Sequence, residues 1–577
     1  MTTRLHIQAW VALLSSACAF AQPSFIAHLP GPGMDGVTDV AVMLDGSVVV
    51  VGGFSETMDL DPGPGTSIIS VPPSTTGGFM ARYDATGALL WGAAVTSTDL
   101  VSASEVAVDE NGHIHVVGRF GGTMDADPGP GVSDLTSIDD WDVYWLRLDA
   151  NGNLLWVGQI GGVGRQFPYQ LETDGNGSVY LSGQNFDTMD ADPGTGISSL
   201  SSGTWIGRYD LTGAIVWVHR LPALELYFGV DANSGRVIVG GGAEVITPGT
   251  YDFDPGPGTL DPLEGGLVAA DVMAFLAFEA NGDLAAHHFV RGNDTDFGYW
   301  DNRPRRLATD ANGDVYACGV FISDFSDYPG NSVTLDASST FTDGFLLKFS
   351  ADLELIWEKR FGAAISHDGC TDVIVDDQGR VWVGGSYGDG SELNSEGPSI
   401  IVSSTAGTTD SFIAAFALDG TYLWHGAYGG DHPLADGAPH LGYHAEQLCF
   451  GSFFRSTGDL DVTGGVATYT SAGFNDAFLS CIDVTGLPTA VGVVEPMVKL
   501  PLVYPNPATD RTTIQWPSML LVTQIKVFDT TGQIIHDHSP SGERDRMLID
   551  VGAWTPGLYH VALDHTHGRL TGRLVVE

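Results

Sequence analysis

One short phrase appears six times along this 577-residue chain and limits what it can fold into. Gly87-Ala-Leu-Leu-Trp91 returns as Gly152-Asn-Leu-Leu-Trp156 and Gly213-Ala-Ile-Val-Trp217. A degraded copy is Gly282-Asp-Leu-Ala-Ala286, followed by Leu353-Glu-Leu-Ile-Trp357 and Gly420-Thr-Tyr-Leu-Trp424. Successive copies lie 61 to 71 residues apart. Self-similarity at a near-constant period marks modules that bury their apolar faces only against one another. Each unit reads as four short strands. The first precedes turns such as Asp109-Glu-Asn-Gly112 and Asp310-Ala-Asn-Gly313, and the second is apolar and ends in Gly, as in Val48 to Gly52 and Ile114 to Gly118. The third runs through Phe79 to Tyr83 or Phe345 to Phe349, and the fourth carries the Trp. Asp/Asn-Gly between β-rich runs is a hairpin signal because Gly accepts positive φ.

A repeated four-strand meander favours a β-propeller over a solenoid. The expected fold class is all-β, a seven-bladed propeller over residues 22–487 followed by a small Ig-like β-sandwich. The seventh unit offers Leu448 to Phe450, Asp459 to Gly464 and Ala477 to Asp483, then ends after Gly486 with no Trp strand. Phe25 precedes Asp39 by 14 residues, as Trp91 precedes Glu105 and Trp156 precedes Gln170. Phe25 to Leu29 is therefore expected to complete the last blade. One aromatic at one position per blade points to packing between blades, each ring burying ~150–250 Å²; the other reading is a sugar-stacking set.

The sharpest chemical pattern joins the second and third strands of the first four units. It pairs Asp59 with Asp61, Asp125 with Asp127, Asp190 with Asp192 and Asp252 with Asp254, each pair followed by Pro-Gly. A remnant persists at Asp324 and Asp327 to Gly330, and the sixth and seventh units are read as lacking the loop. Two carboxylates on one side of an extended segment suit Ca²⁺, a hard cation that takes oxygen ligands. Asp before Pro-Gly also shapes turns by accepting backbone N–H groups. No cofactor is required by either reading. Asp142, Asp271, Asp343, Asp410 and Asp476 open third strands, a recurrence that suits structural hydrogen bonds.

One inter-blade loop is not repeated. After Trp424 it holds His425, Asp431, His432, Asp436, His440 and His444. It shares a face with the acidic loops, and His432, Asp436, His440 and His444 are the candidate ligand-binding set. Imidazole and carboxylate suit Zn²⁺, while exposed polar residues would look the same. Of the cysteines beyond Cys18, Cys449 and Cys481 are placed one strand apart, which favours buried free thiols over a bond between them. The sequence contains no zinc-protease helix motif and no phosphate-binding loop ending in Gly-Lys.

Charge narrows the partners. With 71 Asp and Glu against 24 Lys and Arg, the net charge is −47, which argues against nucleic acid. Arg4, the apolar stretch from Ala9 to Leu14 and Ala19-Phe20-Ala21 read as an export signal over residues 1–21, cut near Ala21. No later run approaches the ~20 apolar residues of a membrane span, so the mature chain is expected to lack one. Pro488 to Leu500 reads as a linker.

Residues 501–577 alternate short strands and turns, as in a small β-sandwich. They carry Tyr504-Pro505-Asn506-Pro507, then Val527-Phe-Asp-Thr-Thr-Gly532, then Pro556-Gly557-Leu-Tyr559. This order resembles the type IX secretion C-terminal sorting domain of Bacteroidetes. The preceding repeats are similar to SBBP-type propeller repeats. The resemblance implies passage through the periplasm, contact with the type IX machinery, and release or attachment at the outer-membrane surface. The expectation is a secreted or surface-attached binding or structural protein with an extracellular glycan or protein ligand. The rival class is an extracellular polysaccharide hydrolase or lyase using carboxylates of the acidic face.

Overall fold

Val, Ile, Phe and Tyr alternate with turn residues over most of the chain, and these runs form strands throughout. The computed structural model describes residues 21–487 except 223–224, 246–250, 262–269, 293–301, 323–324, 329–333, 336–340, 364–365, 395–398, 405–408 and 433. It also describes residues 502–576 except 505–507, 516–521, 530–532, 541–545 and 566–567. The expected export signal, apart from Ala21, and the expected linker fall outside the described residues. The chain divides into two compact units, Met1–Ala490 and Val491–Glu577. The fold is all-β: among the described residues there is no helix, and none long and apolar enough to cross a membrane.

In the first unit the described strands group into seven four-stranded antiparallel meanders. The first comprises Gly36–Val42, Val48–Ser55, Thr76–Tyr83 and Leu89–Ser97. The seventh takes His440–His444, Gln447–Phe454 and Asp476–Asp483 from the end of the unit, and its outer strand is Gln22–Leu29. Phe25 pairs with Cys481 and Leu29 with Ala477, so the beginning and end of the unit share one sheet. The inner strand of each sheet packs on that of the next, and His440–His444 packs back on Gly36–Val42.

The recurring Gly and Trp fit together between sheets. Gly152 has φ +80, and a Cβ there would meet the Trp91 ring at 3.0 Å. Trp156 covers Gly213 and Trp217 covers Gly282 in the same way, and Phe25 takes this place over Gly87. Trp91 and Trp217 also donate Nε1–H to the carbonyls of Ala150 and Ala280, at 2.9 and 3.1 Å. The same carbonyls accept from Arg82 and Arg208. Each aromatic thus seals one sheet to the next, and in Trp91 and Trp217 the only polar atom is satisfied as well.

The structure corrects two expectations. Cys449 and Cys481 are direct cross-strand partners and form a disulfide, while Cys318 and Cys370 are buried free thiols. Asp459 to Gly464 is no strand of the seventh sheet: Thr457–Asp459 pairs with Thr468–Thr470 in a side hairpin at the edge of the sixth, which leaves the cysteine strands adjacent. That hairpin is also an acidic loop, so the seventh repeat keeps the motif as Asp459-Leu-Asp461, with Val462-Thr463 in place of Pro-Gly. The sixth repeat keeps it as Glu392-Leu-Asn394.

The second unit places Leu502–Tyr504, Arg511–Gln515 and Arg546–Asp550 in one sheet. Ile534–His538, Val522–Phe528, Gly557–His565 and Gly568–Val576 form the other. Ile514, Ile525, Val527, Ile549, Val561 and Leu574 belong to one common core.

Candidate functional site

The acidic loops repeat one local design. Asp59 Oδ1 accepts the N–H groups of Asp61 at 3.1 Å and Ser67 at 2.8 Å, and Asp61 Oδ1 accepts that of Gly63 at 2.8 Å. Asp125 and Asp127, Asp190 and Asp192, and Asp252 and Asp254 make the same bonds. Asp459 and Asp461 repeat them, and Glu392 bonds Asn394 and Ile400 alike. The residue between the two acids, such as Leu60, Ala126, Ala191 or Leu460, is buried and pins the loop to its sheet. The hairpin turns use Asp similarly: Asp84, Asp149 and Asp210 each accept the N–H two residues on. Much of the negative charge is therefore turn chemistry. Third-strand aspartates are likewise occupied, Asp142 by Ile138, Gln159 and Gly162, and Asp476 by His28 and Ala472.

The histidine loop is spread over several surroundings. Asp436 is buried and accepts from Gly430 and Arg455 N–H, with burial raising its carboxyl above the usual range. His432 sets its ring edge on Phe474, and its Nδ1 accepts the Leu434 N–H. His440 lies on the seventh inner strand, where burial pulls it to about 4. His444 stands at the far end of that strand, roughly 13 Å away at ~3.3 Å per residue. Among the described residues, no three His, Cys, Asp or Glu converge as a metal site.

The inner strands hold a cluster of which sequence reasoning used only Asp39, Glu105 and Gln170, as register marks. In five of them the pairing skips one residue, and the next is Asp39, Glu105, Gln170, Arg306 or Asp372. Bulges re-aim side chains in this way. Asp39 accepts the N–H of Val106 in the next sheet at 2.8 Å, Gln170 that of Phe228 at 2.8 Å, and Asp372 that of Leu441 at 2.7 Å. Glu105 instead meets Arg306 Nη1 at 2.8 Å, while Arg306 Nε and Nη2 lie 3.5 Å from Asp372 and 3.8 Å from Asp39. Burial pushes Glu105 well up, with Arg306 opposing, and pushes Glu172 to about 7. Burial works against the Arg306 charge, yet Glu105, Asp372 and Asp39 hold its pKa above the usual value. These groups satisfy one another and tie the sheets together.

An open group lies at the loop-side edge of the first, second and seventh sheets. A cavity of about 450 Å³ is lined by Asp35, Thr38, Phe54, Ser102, Arg119, Trp141, Phe453, Arg455 and Asn475, among others. This falls within the ~300–1,000 Å³ of small-molecule sites. Arg119 leaves the second strand of its repeat just after Gly118, a place held by Gly53, Gln184, Val320 and Ser386 in other repeats. Its guanidinium lies over Trp141 at 4.9 Å and Phe167 at 4.8 Å, and Arg165 covers Trp141 at 4.4 Å. Burial, then the charge of Arg165, lowers the Arg119 pKa. Arg455 lies over Phe453 at 4.9 Å and Phe474 at 5.2 Å. Asp35 is fully buried, accepts the Ser55 N–H at 3.3 Å and leaves Oδ2 without a partner among the described residues; burial pushes it to about 7. The signal for this site was variation: a structural repeat position must repeat, and Arg119 and Trp141 do not.

Of the sorting-motif residues, Tyr504 pairs with Thr513, Gly557 pairs with Val576, and Tyr559 donates its hydroxyl to Thr555 O at 2.7 Å. Pro505, Asn506, Pro507 and Gly532 lie outside the described residues. Residues 502–577 match the family described as a secretion system C-terminal sorting domain, which implies export by the type IX route to the cell surface or beyond. No curated protein matches the chain at a significant level. Among solved structures it is similar to a DUF4221-family member from Bacteroides vulgatus, at 10% identity over 63% of this chain and 90% of that one, TM-score 0.29. It is also similar to the extracellular domain of a protein described as a one-component system from B. thetaiotaomicron, at 8% identity over 97% and 100%, TM-score 0.18. At these TM-scores the fold rests on the strand pairings alone.

Proposed function

We propose that this chain is a secreted or surface-delivered binding protein, in which seven sheets form a seven-bladed propeller and residues 501–577 serve as the removable address. The sorting-domain match over 502–577 carries the export reading. The pairing of Gln22–Leu29 with Asp476–Asp483 supports a closed ring, because it turns a linear repeat into one without free ends. The binding role rests on the cavity beside Arg119, where the repeat pattern is broken. A glycoside hydrolase would need paired carboxyl groups facing a substrate. In this cavity Asp35 is the carboxyl, and its free oxygen is buried.

Two measurements test the reading. Removing Val491–Glu577 should hold the protein in the periplasm of a type IX-competent host, and unchanged surface delivery would refute the address. The mature chain from Gln22 should be retained saturably on a glycan or protein array without releasing new reducing ends or altering ligand mass. Product release would replace the binding role with catalysis, and the absence of any retention would remove it.

A further inference from the structure

Arg119 is out of keeping with the rest of the repeat unit. Arg82, Arg147 and Arg208 each donate to a carbonyl of the next sheet, and Arg306 is ringed by carboxylates. Arg119 is half-buried among aromatic rings, and the described residues offer its guanidinium no hydrogen-bond acceptor or ion-pair partner. A guanidinium has five N–H donors and no means of discharging itself. None of these donors is sealed from solvent, so they remain open to a ligand at the cavity. Arg165, ion-paired with Asp140 at 2.7 Å, lies on the same indole, and after burial its charge further lowers the Arg119 pKa. In a chain of net charge −47, two arginines at one cavity, Arg119 and Arg455, run against the composition.

We propose that this cavity binds an acidic sugar residue through its carboxylate. The inference rests on the binding reading above and names its ligand class. A planar carboxylate matches the edge of the guanidinium fork, whose face is already taken by Trp141 and Phe167. The stacking holds the fork in place, so little side-chain freedom is lost on binding. Apolar walls from Trp141 and Phe453, both partly exposed, suit the C–H face of a sugar ring. Partly exposed Phe167 stands edge-on to Trp141, and exposed Phe186 edge-on to Phe167, extending the aromatic surface away from the cavity. That surface fits further residues of a polymer. Trp141 itself follows Asp139-Asp140 in a lengthened third strand, Asp134–Leu148, and stands outside the repeated Trp position.

The test titrates the mature chain, Gln22 to Glu577, calorimetrically with trigalacturonate, its methyl ester and the neutral galactotriose. Saturable binding of trigalacturonate, with the ester and the neutral trisaccharide at least about tenfold weaker, is the expected result; that ratio corresponds to one charge-assisted contact. Arg119→Gln should lose about the same factor and melt like the parent, since its guanidinium holds no backbone group. Should that variant melt early, Arg119→Lys serves instead: it keeps the charge, loses the fork, and should bind several-fold more weakly. Equal affinity for acid and ester, or undiminished binding by both variants, overturns the carboxylate assignment. If only the neutral trisaccharide or a sulfated glycan is retained, the acidic-sugar inference fails and the binding role stands. If an array of glycans and proteins retains nothing, both fail.

Discussion

Replacing Arg306 with Met tests the interior of the ring. Arg306 lies 2.8 Å from Glu105, 3.5 Å from Asp372 and 3.8 Å from Asp39. At an effective dielectric of 20, the closest pair alone carries a gross attraction of ~6 kcal/mol, most of it offset by desolvation. Removing one partner of a buried pair typically costs ~3–5 kcal/mol. The side chain is 14% exposed, which puts the expected loss near the lower bound, ~3 kcal/mol. Asp39 and Asp372 keep their backbone donors Val106 and Leu441, but burial already raises the Asp39 carboxyl to about 6 with Arg306 opposing, so Asp39 also binds a proton more readily once Arg306 is gone. Glu105 has no such support, so it takes up a proton in the variant. Its folded-state pKa is already raised by burial and rises further once Arg306 no longer opposes it. A carboxyl of this kind contributes stability below its unfolded pKa and loses it as pH climbs through the folded value. The deficit of Arg306→Met should therefore be largest near pH 8 and shrink on acidification towards pH 5, by up to ~1.4 kcal/mol per unit. Urea unfolding followed by tryptophan fluorescence at both pH values reads this directly. Adding Glu105→Gln should restore most of the loss at pH 8. A deficit equal at both pH values, or a double variant no more stable than Arg306→Met, would refute the counter-ion role.

Five further outcomes are expected. Trp357 donates to Leu418 O at 3.1 Å and stands against Gly420, so Trp357→Ala should lose ~3–5 kcal/mol of stability; an unaltered melting curve would contradict the sheet-to-sheet packing. Thiol titration of the denatured mature chain should find two thiols before reduction, Cys318 and Cys370, and four after it. Asp59→Ala removes the acceptor of two N–H groups and should cost ~1–2 kcal/mol in thermal unfolding. Melting curves in Ca²⁺ and in chelator should superimpose, and a clear rise with Ca²⁺ would assign these loops to the ion. Burial holds Asp35 at about 7, so its contribution is lost as pH rises through that value. Asp35→Asn should gain on the parent at pH 8 and show no gain at pH 5.

The strands and their grouping were legible because period-2 apolar runs, Asp-Gly turns and the Gly-x-x-x-Trp phrase are local signals repeated many times. The completion of the last sheet by Phe25 to Leu29 was also readable, from a spacing of 14 residues shared with two internal copies. The disulfide was misread because Asp459 to Gly464 resembles a strand in isolation, and only its pairing assigns it to a side hairpin. The acidic loops of the sixth and seventh repeats escaped notice because Glu392-Leu-Asn394 and Asp459-Leu-Asp461 drop the Pro-Gly and keep only the acceptor and the buried middle residue.

Sequence by itself determined the module, its strand order, the acidic turns and the export address, since each is written in residues close together along the chain. Tertiary structure decided which single residues meet. Asp39, Glu105, Arg306 and Asp372 come from four repeats, and Asp35, Arg119, Trp141 and Arg455 from three. Their neighbourhood depends on how the sheets follow one another in space, and no local pattern encodes the distance between side chains separated by hundreds of residues.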